Sequence, residues 1–148
     1  MKILILYDTK YGNTEKVARK IGDSLTGEVR VLNVHEASLA DLKSIDLLIV
    51  GSPTQGGKPT PLLQEFVDNI PESLIRGVKA ATFDTRISSK IVGIFGFAAG
   101  KLAGILKKKG ALVISSEGFF VNNKNNSLKE GELERVINWA KDLLPQVI

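Results

Sequence analysis

The run Thr9-Lys10-Tyr11-Gly12-Asn13-Thr14 gathers the means to hold an anion. Thr9, Asn13 and Thr14 can donate side-chain hydrogen bonds to phosphate oxygens, Lys10 adds positive charge, and Gly12 lets the backbone take a positive φ and approach a ligand closely. The run follows the apolar residues Ile3 to Leu6 and precedes a stretch of helical periodicity, so it joins the carboxyl end of a strand to the amino end of a helix. There the first backbone N–H groups lack intrahelical partners and the helix dipole favours negative charge. The chemistry expected is phosphate binding. A second reading needs no ligand: Asn13 or Thr14 caps the helix and Gly12 makes the turn. The loop by itself leaves both open.

Two other segments carry polar groups at strand ends. Gly51-Ser52-Pro53-Thr54-Gln55-Gly56-Gly57-Lys58-Pro59-Thr60-Pro61 follows the apolar run Leu47–Val50. Its prolines stiffen it, and the Gly56-Gly57 peptide keeps conformational freedom with no side chain between it and a ligand. Pro61 suits the first turn of a following helix. A nucleoside-triphosphate loop is excluded, because Gly51 to Gly57-Lys58 is one residue too long and Pro59 stands where Ser or Thr must bind magnesium. After Phe83, Asp84-Thr85-Arg86 offers an acceptor, a hydroxyl and a guanidinium. Asp84 can accept from a ring N–H of a ligand or form a surface pair with Arg86.

No general base or nucleophile stands out. The sole histidine, His35, falls after an edge strand, far in the pattern from these loops, and reads as a surface residue. With no cysteine and one histidine, thiolate chemistry and a zinc site are not expected.

The elements that must position the three loops follow from periodicity. Apolar runs at Ile3–Leu6, Leu47–Val50, Val78–Phe83 and Ala111–Ile114 lack polar alternation, as strands buried on both faces do. Glu28–Val34 alternates like an edge strand, followed by a helical piece around Leu39–Lys43. Helical stripes recur at Val17, Ile21 and Leu25, at Leu62, Leu63, Phe66, Val67 and Ile70, at Leu102, Ile105 and Leu106, and at Leu133, Val136, Ile137, Ala140 and Leu144. The polar run Asn122–Ser127 reads as a loop ending in a cap for the last helix, and Trp139 in that helix reads as packing. Strands and helices alternate throughout, which predicts one α/β domain over 1–148 with a doubly wound parallel sheet and helices on both faces. In such sheets ligands sit outside the carboxyl ends of the strands where strand order reverses.

Hydrophobic content of 43% and charged content of 24% are those of a globular chain. No segment reaches membrane-spanning length, so a cytoplasmic protein is expected. The net charge of +4 suits acidic partners. Nucleic acid is not the expected partner, since the lysines are spread along the chain and the one dense run, Lys107-Lys108-Lys109 before Gly110, reads as the solvated, dipole-favoured end of a helix.

Taken together, the Thr9–Thr14 loop, Gly51-Ser52-Pro53-Thr54 and Asp84-Thr85-Arg86 resemble the flavodoxin family. The similarity continues through Glu117-Gly118-Phe119-Phe120-Val121 and Glu130-Gly131-Glu132-Leu133-Glu134-Arg135 to Trp139-Ala140. The resemblance implies a flavodoxin-like five-stranded parallel sheet of order 2-1-3-4-5 with FMN at the junction of the first and third strands. It places the FMN phosphate at Thr9, Lys10, Tyr11, Gly12, Asn13 and Thr14. It places the isoalloxazine between Ser52, Pro53, Thr54, Gln55, Gly56 and Gly57 on one side and Asp84, Thr85 and Arg86 on the other. In that family a glycine peptide can turn its carbonyl toward the N5 proton of reduced flavin, a role that falls on Gly56-Gly57.

Two departures shape the expectation. Gln55 stands where the second loop commonly carries an aromatic, and the third loop has no Trp or Tyr. Each missing ring face removes about 0.5–1.5 kcal/mol, so weaker FMN binding is expected. Flavodoxins are typically acidic whereas this chain is basic, so acidic redox proteins are the expected partners. The resemblance implies a small electron carrier, with an FMN-dependent NAD(P)H quinone or nitro reductase, or a binding module without stable flavin, as alternatives.

Overall fold

The computed structural model of the chain describes residues 1–87 and 96–148. Strands β1 (Lys2–Tyr7), β2 (Glu28–Asn33), β3 (Leu47–Pro53), β4 (Lys79–Ile87), β5 (Leu112–Asn122) and β6 (Ser127–Leu128) form one sheet in the order β2-β1-β3-β4-β5-β6. The first five run parallel and β6 is antiparallel to β5. The helices are α1 (Asn13–Ser24), α2 (Pro61–Asp68), the short α3 (Glu72–Ile75), α4 (Ala98–Lys108) and α5 (Glu132–Val147), with a 3-10 turn at Leu39–Leu42.

Successive β1 residues point to opposite faces, and both faces are covered, which is why the run shows no polar alternation. Ile3, Ile5 and Tyr7 join Val17 and Ile21 of α1 and Val136 and Leu143 of α5 in one core. Leu4 and Leu6 join Leu63 and Val67 of α2 and Leu102 and Leu106 of α4 in the other. In the first core the rings of Phe83, Phe119 and Trp139 lie 5.8–6.4 Å apart, tilted or edge to face. Gly51 is obligatory here, since a Cβ would lie 2.0 Å from the Phe83 ring. Trp139 packs as expected and donates its Nε1–H to Ser115 Oγ at 2.9 Å.

The expected strand order is observed, with one correction to the strand count. A sixth strand, Ser127–Leu128, folds back on the end of β5. The segment Asn122–Ser127, expected to be a plain loop with a cap, is therefore a hairpin turn, and Gly131 at φ 85 occupies the N-cap of α5. The apolar run that predicts β5 stops at Ile114, yet the strand continues to Asn122 because Ser115 to Val121 pair along β4, past a bulge at Ile114. Likewise Ser52-Pro53 and Asp84-Thr85-Arg86 belong to β3 and β4 themselves. Partners in the sheet, absent from local hydrophobicity, extend these strands. Gly12, in the left-handed region, is the N-cap of α1, so Asn13 and Thr14 are helical residues and not caps. Lys107 and Lys108 end α4 exposed, but Lys109 folds back, its Nζ donating to the carbonyls of Asp68 and Ile70 at 2.7 and 2.9 Å.

Candidate functional site

Register brings the three strand ends level. Tyr7 lies opposite Gly51, Gly51 opposite Phe83, and Pro53 opposite Thr85. The loops are stitched together from there, with Asp8 N–H donating to Gly51 O at 3.1 Å and Thr54 N–H to Thr85 O at 2.9 Å. β1 sits between β2 and β3, so this is the point at which strand order reverses.

In the first loop Gly12 adopts φ 92 and donates its N–H to Thr9 Oγ1 at 2.9 Å. The first i to i−4 bond of α1 runs from Lys16 N–H to Gly12 O, leaving the amides of Asn13, Thr14 and Glu15 ahead of the helical ladder. Thr14 Oγ1 meets Thr85 Oγ1 at 2.9 Å, and Asn13 Nδ2 donates to Asn126 O at 2.6 Å. The two hydroxyls share one proton between them, so the other O–H can still be donated. These bonds fasten the loop to β4 and to the β5–β6 turn.

Asp8 is the residue that sequence reasoning missed. Only 6% exposed, its carboxylate accepts from Thr9 N–H at 2.8 Å and from the Thr60 hydroxyl at 2.6 Å, joining the first loop to the N-cap of α2. His35 is exposed, as expected, but not remote: its Nε2 stands 3.8 Å from Asp8 Oδ1. Turning of the chain after β2, which the strand pattern does not record, brings it there. A carboxylate placed directly after a buried strand was the available signal. Behind the loop, burial raises the Tyr7 phenol above its ordinary range, with Glu15 adding to the effect.

The second loop closes on itself. Ser52 Oγ, fully buried, accepts from Thr60 N–H at 3.0 Å and donates to Pro53 O at 2.8 Å. Gln55 and Lys58 exchange backbone bonds of 2.8 and 3.0 Å around Gly56 and Gly57, whose φ values are 56 and 78. Two positive φ values inside a two-residue hairpin make a type I′ turn, which is why both positions are glycine.

At the end of β4 the geometry corrects an expectation. Asp84 and Arg86 do pair, but inside the protein. Asp84 is fully buried, with Oδ1 accepting from Arg86 Nε at 2.7 Å and Oδ2 accepting from Arg86 Nη2 at 2.8 Å and from Ala99 N–H at 2.9 Å. The guanidinium lies 3.5 Å from the centroid of the Phe97 ring on one side and against Gly118 on the other, where a Cβ would sit 2.2 Å from it. Asp84 thus orients Arg86 and anchors the start of α4, with no oxygen left pointing at a ligand. Behind Gly118, Arg135 donates to its carbonyl at 2.5 Å and to Glu132, whose carboxyl this bond holds below its ordinary range.

The three strand ends wall a cleft of about 360 Å³, within the size range of small-molecule sites. Lys10, Tyr11, Asn13 and Thr14 line it from the first loop, Pro53, Thr54 and Gln55 from the second, and Thr85 and Arg86 from β4. Ile87, Val121 and Asn126 complete the lining and were not among the expected site residues, because β4, β5 and the turn after β5 reach the cleft only through extended strand pairing. Thr9, Gly12, Ser52, Gly56, Gly57 and Asp84, also expected at the site, are not among the residues that line it. Tyr11, 64% exposed, is the one aromatic side chain lining the cleft among the described residues. The amides of α1, a glycine with no Cβ and hydroxyl donors suit a phosphate. The apolar walls of Pro53, Ile87 and Val121 suit a flat ring, so the donor set fits a flavin mononucleotide.

The flavodoxin family model matches residues 5–139. A flavodoxin of Clostridium saccharobutylicum is 29% identical over 161 aligned positions, covering 97% of this chain and 99% of that one. A flavodoxin of Aquifex aeolicus is 41% identical over 73 residues, spanning 47% of this chain and 40% of that protein. The solved structure of an archaeal flavodoxin superposes with a TM-score of 0.84 over 99% of both chains at 22% identity, a likeness of fold. Among the described residues no helix is long and apolar enough to cross a membrane.

Proposed function

Since the chain belongs to the flavodoxin family, we propose that it carries FMN in the cleft at the ends of β1, β3 and β4 and works as a small electron carrier. The observation that carries this reading is the cleft itself, set at the switch point and lined by Asn13 and Thr14 from the open amino end of α1. When bound, FMN supplies the electron transfer, and the protein supplies position and electrostatics. Amides of Asn13, Thr14 and Glu15 would hold the phosphate, with Lys10 as its counter-charge. Pro53, Gln55 and Tyr11 offer surfaces for the ring, and Thr14 and Thr85, bonded to each other, fix the spacing of the two walls.

The Gly56-Gly57 turn supplies an adjustable polar group. Rotating its central peptide converts a type I′ turn into a type II′ turn, and glycine tolerates both. The flanking Gln55–Lys58 bonds need not break, so the hairpin can present either a carbonyl or an N–H without moving the loop.

Lys10 and Arg86 are the charged residues lining the cleft, and since Asp84 balances Arg86, the local positive charge is that of Lys10. Such charge favours an anionic reduced flavin, and it acts at short range because screening sets in beyond about 8 Å at physiological salt. The purified protein is expected to be yellow and to release one FMN on denaturation. Its second reduction step is expected at a less negative potential than that of an acidic flavodoxin titrated alongside. A colourless protein that takes up no FMN in titration defeats the cofactor assignment, and an equal or more negative potential defeats the electrostatic part.

A further inference from the structure

The lysines are distributed along the chain, but the carboxylates are not. Between Asp84 and Glu117 there is no Asp or Glu, while Arg86, Lys90, Lys101, Lys107, Lys108 and Lys109 all fall in that interval. Taking these six from the 20 basic residues leaves 14 against 16 carboxylates, so the positive balance of the molecule resides in this one segment. Its described part is the end of β4, helix α4 and the start of β5.

On the surface α4 lies beside α2 and the second loop, and the three enclose a groove of about 340 Å³ lined by Lys58, Gln64, Lys101, Gly104, Ile105 and Lys108. No carboxylate lines it. The nearest acidic side chain of α2 in sequence, Glu65, lines a different groove with Leu62 and Phe66. Lys101 and Lys108 are two helical turns apart on one face, about 10 Å, and Lys58 stands at the loop end. Gly104 between them leaves the floor open, with nothing within 4 Å of where its Cβ would be.

This groove shares a wall with the cleft. Lys58 and Gln55 are the two bonded ends of the Gly56-Gly57 turn, and Gln55 lines the cleft while Lys58 lines the groove. The first amides of α4 are tied to the site as well, Ala98 N–H to Thr54 Oγ1 at 3.0 Å and Ala99 N–H to Asp84. A partner seated in the groove therefore touches the hairpin that borders the cleft.

We propose that the groove between α2, α4 and the second loop is the docking surface for an acidic electron-transfer protein, with Lys58, Lys101 and Lys108 as its charged contacts. The proposal rests on the electron-carrier reading above and adds where and by what chemistry the partner docks. Three lysines around a shallow floor with no carboxylate focus positive potential at one spot. Such focusing steers an oppositely charged partner and raises its association rate by about 10-fold or more at low salt.

The test compares two triple variants with the same change in net charge. One carries Lys58→Glu, Lys101→Glu and Lys108→Glu; the other carries Lys2→Glu, Lys20→Glu and Lys141→Glu, away from the groove. The probe is an acidic [2Fe–2S] ferredoxin. Complex formation is measured by calorimetry on the flavin-free chain, and the rate of flavin reduction by stopped flow on the FMN-loaded chain, each at low and high salt. The groove variant is expected to lose at least tenfold in both affinity and rate at low salt, and the remote variant less than threefold, with the differences shrinking at high salt. Lys58→Gln with Lys108→Gln is expected to fall between, guarding against a fold defect in the reversed variant. Equal losses in both triples, or no salt-dependent complex with the unaltered chain, overturn the docking site. Binding instead to vesicles rich in anionic lipid, lost in the groove variant without a ferredoxin complex, overturns it in favour of a membrane surface. If FMN fails to bind, the carrier reading falls while calorimetry still decides the groove.

Discussion

At the end of β1 and at the end of β4 the chain places the same kinds of groups, hydroxyl, charge and hydrogen-bonding side chain, and the two ends are built to different purposes. In the first loop the amides of Asn13, Thr14 and Glu15 lie ahead of the helical ladder and Lys10 is exposed. At the end of β4 the Asp84 carboxylate is enclosed, both oxygens taken by Arg86 and Ala99, and Phe97 and Gly118 close over the guanidinium. An amide at a helix start has no partner within the helix and stays available to an anion. A carboxylate buried beside a guanidinium is tolerated only when fully paired. The first end therefore keeps its donors available, and the second is a brace that fixes one wall of the cleft.

The largest effect should come from breaking the brace. Asp84→Ala leaves Arg86 enclosed without its counter-charge and the start of α4 without an acceptor, a loss of about 3–5 kcal/mol. Urea unfolding of the flavin-free protein measures it, and a loss below 1 kcal/mol (about the net worth of one ordinary hydrogen bond) would remove the distinction between the two ends.

Smaller and opposite in kind is the effect at the first loop. Gly12→Val forces a β-branched residue into φ 92 and narrows the approach to the amides, and about tenfold weaker FMN binding is expected. Thr14→Ala removes one hydroxyl from the Thr14–Thr85 pair and should weaken FMN by several-fold, about 1 kcal/mol. Fluorescence titration reads both. For Thr14→Ala the stability of the flavin-free protein should change less than its affinity, and the reverse ranking would make Thr14 a brace as well.

A change of the opposite sign sharpens the role of the second loop. Gln55→Tyr adds a ring face to the cleft wall and should tighten FMN by up to about tenfold, from about 0.5–1.5 kcal/mol of ring contact. Inorganic phosphate, which needs only the first loop, should bind as before. Unaltered FMN affinity in a folded variant would move the ring away from Gln55.

The parallel class and the position of the first loop were legible because they rest on local pattern, whereas the strand order came only from the family resemblance. An unbroken aliphatic run such as Ile3–Leu6 can only be buried on both faces, and a glycine with hydroxyls between strand and helix can only lie at a helix start. What the tertiary structure alone decided was which polar groups remain available. Asp84 read equally well as a ligand contact or as half of a surface pair, and burial with Arg86 under Phe97 beside Gly118 made it neither, while Arg86 still lines the cleft. Asp8 carried no motif, and its importance arises from Thr60, fifty-two residues on, reaching its carboxylate. The lengths of β4 and β5, and with them Ile87 and Val121 in the cleft, depend on cross-strand bonds that satisfy polar residues no hydrophobic count would assign to a strand. A sequence fixes which groups a segment brings; hydrogen bonds between distant segments determine which of those groups are consumed in holding the fold and which are left to meet a ligand.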